Sequence, residues 1–170
     1  EELDSLGLLY LEQPLADDDL VGHADLDDNL ATPICLDESI TSVGVLESAL
    51  ALRACSVVSV KAARLGGYRA AVRAHDRGGD EGLGLRCGGL IATGVGRGAD
   101  LALGRLPLFS LPGDLSAGDR FFAEDVVVAP IRLGAGGMID PPQGPGIGVE
   151  VRSDLDRWAT GRAWIPGRAG

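Results

Sequence analysis

The apolar residues of the chain fall into short runs separated by stretches with helical spacing. Leu8 to Leu11 is one run and ends in Glu12-Gln13-Pro14. Pro33 to Leu36 ends in Asp37-Glu38-Ser39, and the β-branched run Ser56 to Val60 ends at Lys61. Leu83 to Cys87 ends in Gly88-Gly89, and Leu108 to Leu111, before Pro112-Gly113-Asp114, is a candidate fifth run. Continuous runs of this length read as strands buried on both faces. Between them, Asp17–Leu30, Ser42–Ala54, Gly67–Arg77 and Gly96–Leu106 place apolar residues at helical spacing. Asp17-Asp18-Asp19 reads as an acidic helix start and Ser42 as an N-cap. Gly78 to Gly82 reads as a loose loop.

The polar ends of the first four runs recur about every 25 residues, the length of one strand, one helix and two short loops. That pattern predicts βαβ units and a parallel sheet. A leucine-rich solenoid has a similar period, but its L-x-x-L-x-L frame is absent. A doubly wound sheet or a (β/α)₈ barrel remains, and both bind ligands at the carboxyl ends of their strands. After Ser116 the pattern changes. Asp125 to Leu133 is strand-like, Gly134 to Gly137 a turn, and Met138 to Asp140 and Val149 to Val151 are short strand candidates. This segment is expected to pack on another module, and Thr160 to Gly170 reads as a frayed tail.

Composition narrows the classes. The length of 170 residues fits one domain. Hydrophobic residues at 45% argue for a packed core, and aromatics at only 4% mean that it is built from Leu, Val, Ile and Ala. The net charge of −10 disfavours nucleic acid and anionic membrane surfaces as partners. No apolar run approaches the roughly 20 residues of a membrane helix. The start at Glu1-Glu2 has neither the basic nor the apolar region of a secretion signal. Cys35, Cys55 and Cys87 are widely spaced and read as small buried hydrophobes, which points to the cytoplasm.

Lys61 is the only lysine in the chain; the other basic residues are Arg. It follows a run that should be buried. A shielded amine can give and take protons, and a guanidinium cannot. Glu12 and Asp37 sit at the ends of the two preceding runs and offer hard oxygen ligands of the kind Mg²⁺ takes in small number. Each residue alone has a plainer explanation: a lysine paired with an acid, or an acid facing a helix dipole. Together they form a site suited to enolate chemistry, with a metal and an amine sharing the work. Gly88-Gly89 and the G-x-G-x-G of Gly94 to Gly98 fit tight turns better than a phosphate loop, since no G-K-[ST] follows. His23 and His75 lack partner spacing and read as surface or satisfied histidines.

Taken in order, Glu12-Gln13-Pro14-Leu15, Thr32 to Ser39, Val60-Lys61 with Arg64-Leu65-Gly66-Gly67, Cys87-Gly88-Gly89 and Thr93 to Arg97 resemble the enolase superfamily. The chain looks most like the o-succinylbenzoate synthase / N-acylamino acid racemase family; Leu111 to Asp114 and Gly144 to Val149 also look like that family's end. The resemblance implies an α/β fold: the C-terminal part of a modified TIM barrel, followed by a segment returning to a capping domain. It divides the chain into barrel (1–118), return segment (119–151), and a terminal helix with tail (152–170). It implies Glu12 and Asp37 as two Mg²⁺ ligands, Lys61 as the catalytic lysine, Glu38 as a neighbouring acid, and Gly88 and Gly89 as substrate-adjacent.

The resemblance also implies a small-molecule carboxylate substrate, a homo-oligomer at full length, and Mg²⁺-dependent dehydration to 2-succinylbenzoate on the route to menaquinone. Racemisation of N-acylamino acids is the alternative activity. The family's first metal-ligand Asp and its K-x-K lysines belong to earlier strands, so the 170 residues are expected to be the C-terminal half of such an enzyme, inactive when isolated. Where the family carries an acid in a pattern like M-L-E-T-G, this chain has Ala92.

Overall fold

The computed structural model describes residues 2–161. Four strands alternate with four helices: β1 (Leu11–Glu12), α1 (Leu20–Asn29), β2 (Ile34–Leu36), α2 (Val43–Leu52), β3 (Val57–Val60), α3 (Tyr68–Asp80), β4 (Gly84–Cys87) and α4 (Gly94–Leu103). The strands form one parallel sheet in the order β1-β2-β3-β4, as the period predicts.

One sheet face meets the helices. Ile34, Leu36, Val58, Val60, Leu85 and Cys87 are buried there with Leu46 and Ala49 of α2, Ala71 and Ala74 of α3, and Leu103 of α4. The core is aliphatic, as a chain poor in aromatics requires. Helix starts are fixed locally: the Asp19 carboxylate accepts from Gly22 N (2.7 Å), and Ser42 Oγ accepts from Val45 N (3.1 Å). Thr93 makes no such bond; instead the buried Asp125, distant in sequence, accepts from Gly94 N at 2.9 and 3.0 Å.

Several expectations need correction. Residues 78–80 continue α3 instead of forming a loop. Their glycines are there for contact: a Cβ on Gly78 would lie 2.8 Å from Leu85 Cδ2, and one on Gly79 would collide with Leu108. Leu108 to Leu111 does not form a fifth strand. Leu111 N donates to Leu85 O (3.1 Å) and Asp114 N to Cys87 O (2.9 Å), giving only a Gly88–Asp114 bridge; Pro112 has no N–H to continue the ladder. Asp125 to Leu133 is also not a strand, because Pro130 interrupts it. Val127 bridges Val151 antiparallel, with Val128 N donating to Glu150 O and Arg152 N to Val126 O, both at 2.9 Å, and Met138 to Asp140 forms no strand. The turn at Ala135–Gly137 is a short 3-10 turn. The terminal helix reduces to a 3-10 turn at Leu155–Trp158, and the tail beyond Gly161 lies outside the described residues.

His23 and His75 are buried and satisfied. His23 Nδ1 lies 2.6 Å from Asp19 O while Nε2 accepts from Leu15 N (3.3 Å). His75 Nδ1 lies 2.8 Å from Asp76 Oδ1, and Nε2 accepts from Leu108 N (3.1 Å). Among the described residues no helix is long and apolar enough to cross a membrane.

The three cysteines are free and buried, and burial pushes each thiol from the ordinary 9.0 up to about 12. A thiol held protonated by the fold stabilises the native state fully below pH 9, and that contribution is lost as pH rises toward 12. Melting temperature followed over this range should therefore fall, and Cys55→Ala should flatten the fall. An unchanged slope in the variant would show that Cys55 is not responsible.

Candidate active site at the carboxyl ends of the strands

The register decides which side chains meet. Glu12 pairs with Cys35, Cys35 with Val57, and Val57 with Gly84. Side chains alternate along a strand, so Cys35 and Asp37 face the same side, as do Val57, Ser59 and Lys61. Ser59 pairs with Arg86, and Gly88 stands two residues further on. The face turned away from the helices thus gathers Glu12, Asp37, Ser59, Lys61, Arg86 and Gly88 toward its carboxyl end.

Asp37 is the centre of one cluster. Lys61 Nζ lies 2.5 Å from Asp37 Oδ2, and Arg64 donates to Oδ1. The Asp37 and Lys61 side chains are 3% and 9% exposed, so the pair is nearly dry. Arg64 reaches Asp37 because the chain turns immediately after Lys61: Arg64 N and Leu65 N both donate to Lys61 O at 3.1 Å. Gly66 and Gly67 then take φ of 88° and 128°, which other residues resist, and lead the chain into α3. Gln13, at φ 41°, holds the other side: its Oε1 accepts from Asp37 N (2.9 Å) and Ser39 N (3.2 Å), and its Nε2 donates to Ser39 Oγ (2.8 Å). Glu38 points outward, half exposed and 3.7 Å from Arg64.

Glu12 belongs to a second cluster. Arg86 Nη1 donates to Glu12 Oε2 at 2.6 Å, Asp114 Oδ2 lies 3.8 Å from Nη2, and the guanidinium sits 5.5 Å over the Tyr10 ring. Burial is the largest influence on Arg86 and works against its charge, but Glu12, Tyr10 and Cys35 together outweigh it and hold the pKa above its ordinary value.

Gly88 and Gly89 are where backbone approaches side chains. A Cβ on Gly88 would stand 2.6 Å from Lys61 Cε and collide with Ser59 Oγ; one on Gly89 would collide with Arg97 and lie 2.6 Å from Asp114 O. Neither lies in the tight turn expected there: Gly88 bridges Asp114, and both positions need a residue without a side chain because of these close approaches. Gly88→Ala should push the Lys61 stem aside and destabilise the fold by about 1–3 kcal/mol, measured by urea unfolding. A loss below about 0.5 kcal/mol, within the range of a neutral surface change, would show that Lys61 moves freely.

Glu12, Asp37 and Lys61, expected from the sequence, therefore share one face, with Gly88 packed on the lysine. Sequence reasoning gave no role to three further residues. Arg86 had a readable signal, a charge flanked by Leu85 and Cys87 in an otherwise apolar run. Arg64 and Gln13 had none beyond their neighbours, since their contacts depend on the turns after β3 and β1. Ala92 lies half-buried in the loop between β4 and α4 and brings no carboxylate.

For a divalent metal the donor set is partial. Among the described residues no group of three or more His, Cys, Asp or Glu is placed to hold an ion. Glu12 and Asp37 are hard oxygen donors at neighbouring strand ends. Two carboxylates with water and substrate oxygens suit Mg²⁺, so the residues fit as part of such a site.

Comparison with known proteins gives the context. A family model described as "Enolase C-terminal domain-like" matches residues 1–155. An N-succinylamino acid racemase from Amycolatopsis sp is 47% identical over 96% of this chain and 44% of that protein. An o-succinylbenzoate synthase from Bacillus subtilis (strain 168) is 41% identical over 92% of this chain and 42% of that protein. A solved enolase-superfamily member from Listeria innocua superposes with a TM-score of 0.85 at 40% identity, covering 92% of this chain and 41% of that one. The chain thus spans about two fifths of the length of the curated relatives it matches. With its parallel βαβ order and its match over nearly all residues, the chain belongs to the enolase C-terminal domain-like family.

Proposed function

We propose that this chain supplies the C-terminal half of the active site of an o-succinylbenzoate synthase-type dehydratase. The observation that carries the reading is the sole lysine, buried against Asp37 on the face that also holds Glu12. The substrate class is a small carboxylate whose α-carbon loses a proton while a β-hydroxyl leaves as water. Glu12 and Asp37 would hold a Mg²⁺ ion, which supplies positive charge where the enolate develops. Lys61 presents its ammonium to that charge from the side opposite the base. The base, a lysine of the K-x-K pair, belongs to the earlier strands; it takes the α-proton and returns it to the departing hydroxide. Asp37, itself held by Arg64, fixes the Lys61 amine, and the dry surroundings strengthen its effect.

The barrel assignment covers residues 1–118, and we assign 119–151 to the return toward a capping domain. The exposed Leu3, Leu6 and Leu9 beside the edge strand β1 fit a sheet that continues past it. The whole protein is read as a cytoplasmic homo-oligomer on the route to menaquinone, and the 170 residues alone as non-catalytic.

A second reading is N-succinylamino acid racemisation, favoured by the 47% identity to the Amycolatopsis racemase. There the two lysines exchange α-protons from opposite faces. Steady-state assays of the intact protein with both substrates decide: dehydration without racemisation supports the first reading, racemisation alone the second. Turnover of neither would leave the non-catalytic reading standing. Full turnover by the isolated 170 residues would overturn the assignment of half a site to them.

A further inference from the structure

Glu12 and Arg86 are the only charged residues inside the four strands, and they come from opposite edges of the sheet. In a flat sheet β1 and β4 would be about 14 Å apart. Here the long Arg86 side chain crosses the concave face and its Nη1 reaches Glu12 Oε2 at 2.6 Å. The Arg86 side chain is 7% exposed, its Nε has no hydrogen-bond partner among the described residues, and its carboxylate neighbours there are Glu12 and, at 3.8 Å, Asp114. A guanidinium keeps its charge at every pH the protein meets. Glu12 is therefore neutralised from within the chain, and by a different cation from the two that hold Asp37.

From this geometry we infer that Arg86 is a built-in counter-cation for Glu12 and competes with the divalent metal for it. The inference rests on the metal reading proposed above. A metal reaching Glu12 must displace the guanidinium or share the carboxylate with it, so Arg86 sets the metal affinity. The Glu12 side chain is 36% exposed and open to such an approach, and Asp114 is the nearest anion to which a released Arg86 can turn.

The test is Mg²⁺ and Mn²⁺ titration calorimetry on the intact protein and on Arg86→Met. The variant is expected to bind at least about tenfold more tightly, because the partly exposed Glu12 carboxylate is left without its competing cation. A second measurement uses the wild type and does not depend on how the variant folds. The Nε–H resonance of Arg86, assigned by its loss in Arg86→Lys, should shift with saturating Mg²⁺. Equal or weaker metal binding by Arg86→Met, or a resonance that stays still while the metal binds, overturns the competition and leaves the metal reading intact. Failure of wild type and variant alike to bind either metal overturns both. A merely structural Arg86 would lower stability in Arg86→Met without tightening metal binding.

Discussion

Lys61→Met is expected to reduce turnover of the intact protein by at least ~10²-fold, the usual yield of one positioned acid–base or charge-stabilising group. KM should change little, because the lysine acts on charge that develops only during reaction. Arg64 still holds Asp37 in the variant, so the fold should persist with a similar melting temperature. The two activities leave different traces. If the enzyme is a racemase, the variant still exchanges the α-proton of one enantiomer with deuterated solvent through the remaining lysine, and loses exchange of the other. If it is a dehydratase, product formation falls as a whole. Turnover within about tenfold of wild type would remove Lys61 from the reaction and return it to the plainer role of an ion-pair partner.

Asp37→Leu should be the most damaging single change to stability. Lys61 lies nearly dry beside Asp37, and Arg64 is only 19% exposed. Removing the carboxylate strands one buried ammonium and a partly buried guanidinium. Breaking a buried pair in this way costs about 3–5 kcal/mol, whereas replacing both partners by apolar groups is close to neutral. Urea unfolding of the metal-free protein should show the loss. Adding Lys61→Met to Asp37→Leu should recover part of it, since the buried ammonium is gone and only the partly buried Arg64 guanidinium stays without Asp37. If the two losses add instead, Asp37 and Lys61 are not energetically coupled.

Much of the fold is legible in the sequence because alternation and period are local. The run Val57 to Val60 forms β3, Ser42 caps α2, and the recurrence of the strand ends puts Glu12, Asp37 and Lys61 on one face toward the carboxyl end of the sheet, each two residues further along the register than the one before. The failures share a cause. Gly78 and Gly79 look like a loop by composition, but they are helical because Leu85 and Leu108 press against them, and that contact has no local signal. Asp125 looks like the start of a strand, yet its carboxylate caps a helix that begins at Gly94. In the site, the residue types expected for chemistry could be read, but their counter-charges could not. Which arginine meets which acid depends on sheet curvature and on the turn after Lys61, and neither has a period.

The sheet order also constrains how this chain can be completed. Among the described residues β1 pairs only with β2, and β4 only with β3 apart from the bridge at Asp114. The strands all run one way, so a further strand joining β1 in the same direction would need a crossover of its own, as β1 needs α1 to reach β2. Right-handed crossovers put every such helix on the same side of the sheet. Extending the ladder past β1 would therefore extend the aliphatic layer between sheet and helices, while the opposite face, with Glu12, Asp37 and Lys61, would stay free of helices.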